Sequence, residues 1–382
     1  MRRTTLRTAI AVVTVGLTLT ACGSSDGGSS GGSGGGSDAA TATSAEDLGG
    51  TDALVKAAKA EGTLNVIALP PSWANYEEML KAFGDKYGIK ISSANPDGSS
   101  QDELDAVTSQ KGQDRAPDVV DVGTSFAKQA AAQKLLAPYQ VATWKDIPDN
   151  QKDPKGLWFN DYGGFISIGC NTSVVKKCPT TMAELLDPQY KGQVALNGNP
   201  TQAAAAFSGV WAAALANHGS LDNIGPGIDF FKKVKVAGNF NPVEVTPATV
   251  QSGETPLAID WDYVNAGLVS TLKSAGIDWK VSVPSDGVFG SYYSQAISKF
   301  APHPAAARLW EEFLYSDQGQ NIWLKGLSRP VRLDAMQKAG TTDAAALKTI
   351  PKVDATVKFP SDQQQTAAKK VVSDRWNAEI SG

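Results

Sequence analysis

The chain has 382 residues, with 35 Lys and Arg against 39 Asp and Glu, a net charge of −4, two histidines and three cysteines. That acidic balance argues against a nucleic-acid partner, and two histidines leave almost no material for His-based triads or multi-His metal sites. The length exceeds one ordinary core and points to two domains.

Taken in chain order, Met1 to Ala21 carries Arg2, Arg3 and Arg7, then an apolar run from Ala9 to Leu19 that is too short for a membrane span and reads as an export signal. Its end, Leu19-Thr20-Ala21-Cys22, resembles the lipobox of bacterial lipoproteins. Cys22 is therefore expected to carry lipid and to hold a soluble domain at the outer face of the cell membrane. Residues 22–50 are mostly Gly, Ser, Asp, Ala and Thr with little to bury, which predicts a flexible tether. Loss of residues 1–21 removes three arginines and no acids, so the net charge passes from −4 to −7. No later apolar run approaches bilayer length, so the lipid is the only expected membrane contact. Cys170 and Cys178 remain as an even pair in an oxidising compartment and are expected to form a disulfide.

From Thr51 onward, strand and helix signals alternate. Leu64–Leu69 is a buried-strand run, and Ser72 is expected to start a helix with Trp73, Tyr76, Met79, Leu80, Phe83 and Tyr87 on one face, ended by Gly88. Ser100-Gln101-Asp102-Glu103 has the spacing of a capping box. Pro117–Val122 is a third strand, leading through Gly123-Thr124-Ser125 into a helix. Gly163–Gly169 is another strand signal, Thr180 is expected to open a short helix, and Thr201 to begin an alanine-rich one. Val281–Pro284 and Tyr292–Ile297 read as returning strands. This order predicts an α/β architecture with a largely parallel sheet and helices on both faces.

The stretch Pro256–Tyr263 reads as a buried strand that surfaces at Asp260-Trp261-Asp262. In open α/β sheets ligands sit outside the carboxyl ends of strands, so acids flanking an indole there suit a pocket for a small polar molecule.

His303–Val331, HPAAARLWEEFLYSDQGQNIWLKGLSRPV, resembles the helix pair of type II periplasmic solute-binding proteins, the capturing subunits of ABC importers. Leu185-Leu186-Asp187-Pro188 with Tyr190-Lys191-Gly192, Asn199-Pro200, and the Asp-Trp-Asp strand end match in order, so the resemblance spans Leu64 to Met336. It implies two Rossmann-like α/β lobes joined by a two-strand hinge, with crossings near Ile166–Asn171 and Val283–Ser294. The implied lobes are residues 51–167 plus 287–382, and 168–286. The implied partners are a small solute, an ABC permease and its ATPase; a monomer without cofactor, metal or catalysis is expected. Ligand contacts carried over from the resemblance fall on Ser72, Trp73, Thr124, Ser125, Thr201, Gln202, Asp260, Trp261, Asp262, Tyr292 and Tyr293.

Acids and aromatic faces in that set suit a cationic amine such as spermidine or putrescine. Thr201 and Ser125 at helix N-termini would instead favour an anion, so an aminoalkylphosphonate or a thiamine phosphate is the alternative. Ferric-binding relatives carry adjacent tyrosines after the strand that here reads Leu257-Ala258-Ile259; this chain has Asp-Trp-Asp and a single Tyr263 there, which disfavours iron. Tyr292 and Tyr293 are strand neighbours, so at most one should face a cleft. Arg329 and Arg332 are expected at the surface. Asp260 and Asp262, two apart on a strand, would lie about 7 Å apart on one face, near the spacing of an inverting glycosidase. Both come from one strand, however, whereas a glycosidase needs them on opposite sides of a scissile bond, so that alternative is the weakest.

Overall fold

The structure, a computed structural model, describes residues 39–351, 353 and 359–381; the expected signal peptide, Cys22 and the first part of the tether lie outside the described residues. Residues 39–50, expected to belong to the tether, are folded onto the body. Ala39, Ala42 and Ala45 are buried, and the Arg308 guanidinium donates to the carbonyls of Ala40 at 3.1 Å and Ala42 at 2.8 Å. Small side chains let this backbone come close enough for an arginine to bind its carbonyls, a contact that residue size hides from a composition argument.

The body opens with helix α1 (Thr51–Glu61), strand β1 (Thr63–Ile67), α2 (Tyr76–Tyr87), β2 (Lys90–Ala94), α3 (Ser100–Ser109), β3 (Val119–Gly123), α4 (Thr124–Ala132) and β4 (Leu136–Ala137). The long strand β5 (Phe159–Asn171) leads to β6 (Val194–Leu196), α5 (Ala204–Ala216), α6 (Gly225–Val236), α7 (Pro247–Ser252), β7 (Leu257–Trp261), α8 (Asp262–Ser274) and β8 (Trp279–Ser282). Then come β9 (Gly290–Ser298), α9 (Pro304–Leu314), α10 (Asp317–Lys325), β10 (Arg329–Pro330), α11 (Leu333–Ala339), α12 (Ala344–Leu347) and α13 (Asp362–Trp376).

Helix α2 starts at Tyr76 and not at Ser72, because Ala74 and Asn75 take left-handed φ values of 46° and 65° after Pro70-Pro71. Its Tyr76, Met79 and Phe83 are buried on the expected face, and Gly88 ends it at φ 69° with its N–H on the Gly84 carbonyl. The capping box of α3 lies one residue earlier than expected: Ser99 is the cap and Asp102 its partner. Ser100 and Glu103 are thereby freed to face inward, where they accept the N–H groups of Gly123 at 3.2 Å and Asp121 at 2.9 Å. The alanine-rich helix starts at Ala204, three residues after Thr201. Ala183–Leu186 is a single 3-10 turn, with the Thr180 N–H held by Glu184 at 2.7 Å.

The expected, largely parallel sheet is mixed. β1 pairs with β2 and β6 with β7 in parallel, but β3, β4 and β5 pair antiparallel with β9, and β7, β8 and β10 pair antiparallel with β5. The antiparallel pairs arise because β5 and β9 run against their neighbours as connecting strands. β5 pairs with β9 through Phe165↔Gly290 and with β7 from Ile166↔Trp261 onward, so one strand serves two sheet regions. β8 stays with the second region, against Ile168–Asn171. Both regions have their own helices, giving the two-lobed α/β fold expected. The disulfide between Cys170 and Cys178 is formed, with a Cα–Cα distance of 5.8 Å.

The segment that carried the resemblance is a packing device. Trp310, Phe313 and Leu314 of α9 and Trp323 of α10 are buried, each side chain contributing about 1.5–3 kcal/mol by leaving water. Ser316 caps α10 by accepting the Gly319 N–H at 3.2 Å. A Cβ at Gly319 would lie 2.4 Å from the Phe313 carbonyl oxygen, so only glycine fits this turn. Gln320 donates to the Leu314 carbonyl and accepts the Arg332 N–H.

Helix α13 does not stay with the first region, to which residues 287–382 were assigned. Trp376 packs on Phe231 and Phe240 at 5.5 and 6.4 Å, and Arg375 pairs with Asp229, all beside α6. On its other side the Lys369 amine sits 3.4 Å from the centroid of the Phe126 ring of α4. The last helix therefore spans elements of both regions.

Candidate ligand-binding site

A cavity, partly open to solvent, lies between the two sheet regions. One wall comes from the turn after β1, the loop 96–100, Glu103 of α3, Asp121 of β3 and Tyr293 of β9. The other comes from Asn197, Ala203–Ala205, the segment 244–247, Asp260 of β7, and Val264 and Leu268 of α8. The Gln101 N–H meets the Gln202 carbonyl across the two walls at 3.3 Å.

Among the described residues, five carboxyl groups line this cavity, those of Asp97, Glu103, Asp121, Glu244 and Asp260, and no Lys, Arg or His does. Asp260 is buried: its Oδ2 accepts Asn197 Nδ2–H at 2.7 Å and its Oδ1 accepts the Trp261 N–H at 2.7 Å. Burial pushes its carboxyl up to about 7, against those two donors. Asp121, in the middle of an otherwise apolar strand, accepts the hydroxyls of Tyr76 at 2.6 Å and Tyr162 at 2.7 Å on Oδ2. No N–H or hydroxyl among the described residues reaches its Oδ1, and Asp161, a second buried acid, acts on it electrostatically. Burial raises Asp121 to about 6, the two phenols pulling it back. Burial also raises Glu103 and Glu244. These acids meet no cationic side chain of the described residues on the cavity wall, so a cation entering it would favour their charged forms.

Aromatic faces complete the site. Trp73 stands edge-on to Tyr293 and Tyr263, with centroids 5.7 and 5.8 Å away, and its Nε1–H donates to Tyr162 Oη at 2.9 Å. Ala68, at the rim, holds a left-handed φ of 54°, a strained position of the kind found at ligand clamps.

Of the expected ligand residues, Ser72, Trp73, Asp260 and Tyr293 line this cavity. Thr124, Ser125, Trp261 and Tyr292 line a separate, small space that Pro360 and Gln365 also line. Thr124 is committed there, its Oγ1 3.0 Å from both Asn160 Oδ1 and the Tyr292 carbonyl. Tyr292 and Tyr293 do face different ways, and Tyr292 packs on Phe359. Thr201 and Gln202 line neither space; the Thr201 N–H is held by Asn199 Oδ1 at 2.9 Å in a turn, so it offers no helix N-terminus to an anion. Asp262 is also absent from both. β7 ends at Trp261, Asp262 opens α8, and its carboxylate is paired with Arg329, which removes the shared strand face a two-carboxylate glycosidase would need. Arg329 and Arg332, expected at the surface, are mostly buried; Arg332 pairs with Asp146 and Asp317.

Sequence reasoning missed Asp121, Glu103, Asp97, Asn197 and Glu244. The first had a readable signal, an acid inside the apolar run Val119-Val120-Asp121-Val122.

A two-lobed α/β body with a cleft lined by polar and aromatic groups at strand ends defines the class of extracytoplasmic solute-binding proteins, which capture small molecules for an ABC permease and its ATPase. A profile of the bacterial extracellular solute-binding protein family matches residues 114–358, and the chain belongs to that family. No curated protein sequence matches. Among solved structures the chain is similar to the periplasmic binding protein AfuA from Actinobacillus pleuropneumoniae, with fructose-6-phosphate bound, at 22% identity over 84% of this chain and 99% of that one, TM-score 0.65. It is also similar to iron-bound HitA from Pseudomonas aeruginosa, at 20% identity, 81% and 97% coverage and TM-score 0.59. A putative spermidine/putrescine ABC transporter from Listeria monocytogenes follows at 14% identity, 82% and 98% coverage and TM-score 0.61. Such ligand diversity on one fold leaves the solute to be argued from the cavity. Among the described residues no helix is long and apolar enough to cross a membrane, and no group of three or more His, Cys, Asp or Glu is placed to hold a metal ion.

Proposed function

We propose that this chain is the lipid-anchored solute-binding subunit of an ABC importer that captures a small cationic amine of the spermidine or putrescine kind. The observation that carries the reading is a cavity lined, among the described residues, by five carboxyl groups and no cationic side chain, with Trp73 and Tyr293 on its wall. An ammonium group there gains ion pairing and cation-π contact that a phosphate, repelled by the same acids, does not. Phosphonate and thiamine phosphate are disfavoured on that ground, and ferric iron on the scattering of the acids. The reading includes lipid on Cys22, a monomeric binding protein without catalytic activity, and lobes that close about the two strand connections.

A thermal-shift panel of spermidine, putrescine, aminoethylphosphonate, thiamine and ferric citrate tests it. A ligand at a hundredfold excess over its Kd adds about 2.7 kcal/mol, which is easily seen. A shift with an amine and none with the phosphonate supports the reading; no shift with any amine ends it. Mass spectrometry of the membrane-extracted protein reads the lipid on its N-terminal cysteine.

A further inference from the structure

Tyr162 is fully buried on β5 and does not line the cavity, yet it touches two residues that do. Its hydroxyl oxygen lies 2.9 Å from Trp73 Nε1 and 2.7 Å from Asp121 Oδ2. An indole nitrogen only donates, so the phenol oxygen must accept from Trp73 and its single proton is left for Asp121. Tyr76 is constrained in the same way: Gln295 Nε2 lies 3.0 Å from its hydroxyl, whose proton also goes to Asp121 Oδ2, 2.6 Å away. Asp121 Oδ2 thus receives two committed protons and is held as an acceptor. Any proton kept by the Asp121 and Asp161 pair is carried elsewhere, on Oδ1 or on Asp161.

We infer that Tyr162 is a positioning residue that ties the Trp73 indole to the Asp121 carboxylate, so that the aromatic wall and the acidic floor of the cavity are set as one unit. Its ring is fixed by stacking on Tyr293 at 5.7 Å and 5° and by Trp323 at 5.0 Å. The inference rests on the cationic-ligand reading for its effect on binding, but the link itself exists without ligand. The acids facing Asp121 are Glu103 from α3, Asp161 from β5 and Glu311 from α9. The phenols facing it are Tyr76, Tyr162, Tyr263 and Tyr293, with Tyr315 just after α9. The groups that act most on Asp121 among the described residues are acids and phenols, so their protonation is what answers pH at this cluster.

The experiment compares wild type, Tyr162→Phe and Tyr76→Phe in the mature chain, with spermidine as the probe, by calorimetry between pH 5 and pH 8. In parallel, without ligand, the emission of Trp73 is followed over the same range as the difference from a Trp73→Phe background. Both tyrosine variants remove a donor that favours the charged carboxylate, so in both the pH midpoint of binding moves up. Only Tyr162→Phe also lowers affinity about tenfold at pH 8 and abolishes the pH step of Trp73. Tyr162→Phe with the wild-type midpoint and wild-type Trp73 step overturns the inference, as does a loss of affinity that is equal at every pH. If wild type binds no spermidine, the functional reading has failed, and the ligand-free Trp73 step still decides the link. Should Tyr162→Phe not fold, Asp121→Asn takes its place: a Trp73 step that survives there overturns the inference, and its disappearance supports it.

Discussion

Asp262 and Arg329 form an ion pair at 2.9 Å in which the carboxylate is fully buried and the guanidinium mostly so. The second Asp262 oxygen accepts the N–H groups of Phe165 and Tyr263, both at 3.0 Å, and Arg329 lies 4.5 Å from the centroid of the Phe165 ring. This pair joins β10 to the start of α8 beside the point where β5 changes partner, and it separates two aspartates that the sequence presents as equals.

Removing one partner of a buried pair leaves an uncompensated charge and costs about 3–5 kcal/mol. Asp262→Asn is therefore expected to lower the urea unfolding free energy by that amount, with amine affinity unchanged in the protein that remains folded. Asp260→Asn is expected to do the reverse: at least tenfold weaker amine binding, with stability kept or raised because an acid disfavoured by burial has been neutralised. Urea melts and calorimetry on the two variants check this, and a swap of the two phenotypes would reverse the assignment of Asp260 to the pocket.

That asymmetry also marks how far the sequence is legible. The strand Leu257–Trp261 and the disulfide follow from local pattern, because burial periodicity and cysteine count are local quantities, while the helix pair ending at Lys325 is legible through the family resemblance. Which strand end meets the cavity depends on pairings over long sequence separations, such as Asp262 with Arg329. The sheet direction misled for the same reason: alternation of strands and helices predicts parallel pairs, while β5 and β9 run antiparallel to most of their partners. The helix start expected at Thr201 failed through turn chemistry, since Asn199 caps a turn there and α5 begins three residues later.

The acidic cavity predicts opposite pH trends for stability and for binding. Asp260 at about 7 and Asp121 at about 6 both lie above their ordinary value of 3.8, so the native state binds protons more tightly than the unfolded chain. Unfolding free energy from these groups is then greatest at low pH, falls as pH rises from about 4 through about 7, and levels off beyond. Ligand-free protein should melt at a higher temperature at pH 5 than at pH 8, while affinity for an amine should rise over the same interval. Scanning fluorimetry with and without spermidine reads both; a ligand-free melting temperature that climbs with pH across this window contradicts the prediction.

Cys170 lies in β5, and its bond to Cys178 closes the loop that follows the strand. On the chain-entropy model a loop of this size contributes about 2.5 kcal/mol. Cys178→Ser should lose about that much in urea unfolding, and mild reductant should lower the melting temperature of wild type but not of the variant. Equal sensitivity of both to reductant would mean that the bond is not the source.

The C-terminal helix is held unequally by the two regions that it spans. Toward α6 it buries Trp376 against Phe231 and Phe240 and adds the Arg375 pair with Asp229; toward α4 its contacts centre on Lys369, whose burial lowers its amine to about 8. Truncating a buried tryptophan leaves a large cavity and costs about 3–5 kcal/mol, whereas a lysine over an aromatic ring contributes about 0.5–2 kcal/mol and its desolvation offsets part of that. Trp376→Ala should therefore destabilise the protein severalfold more than Lys369→Ala in matched urea melts. The reverse order would place the main anchor of this helix on α4, and with it the load that any separation of the two regions has to overcome.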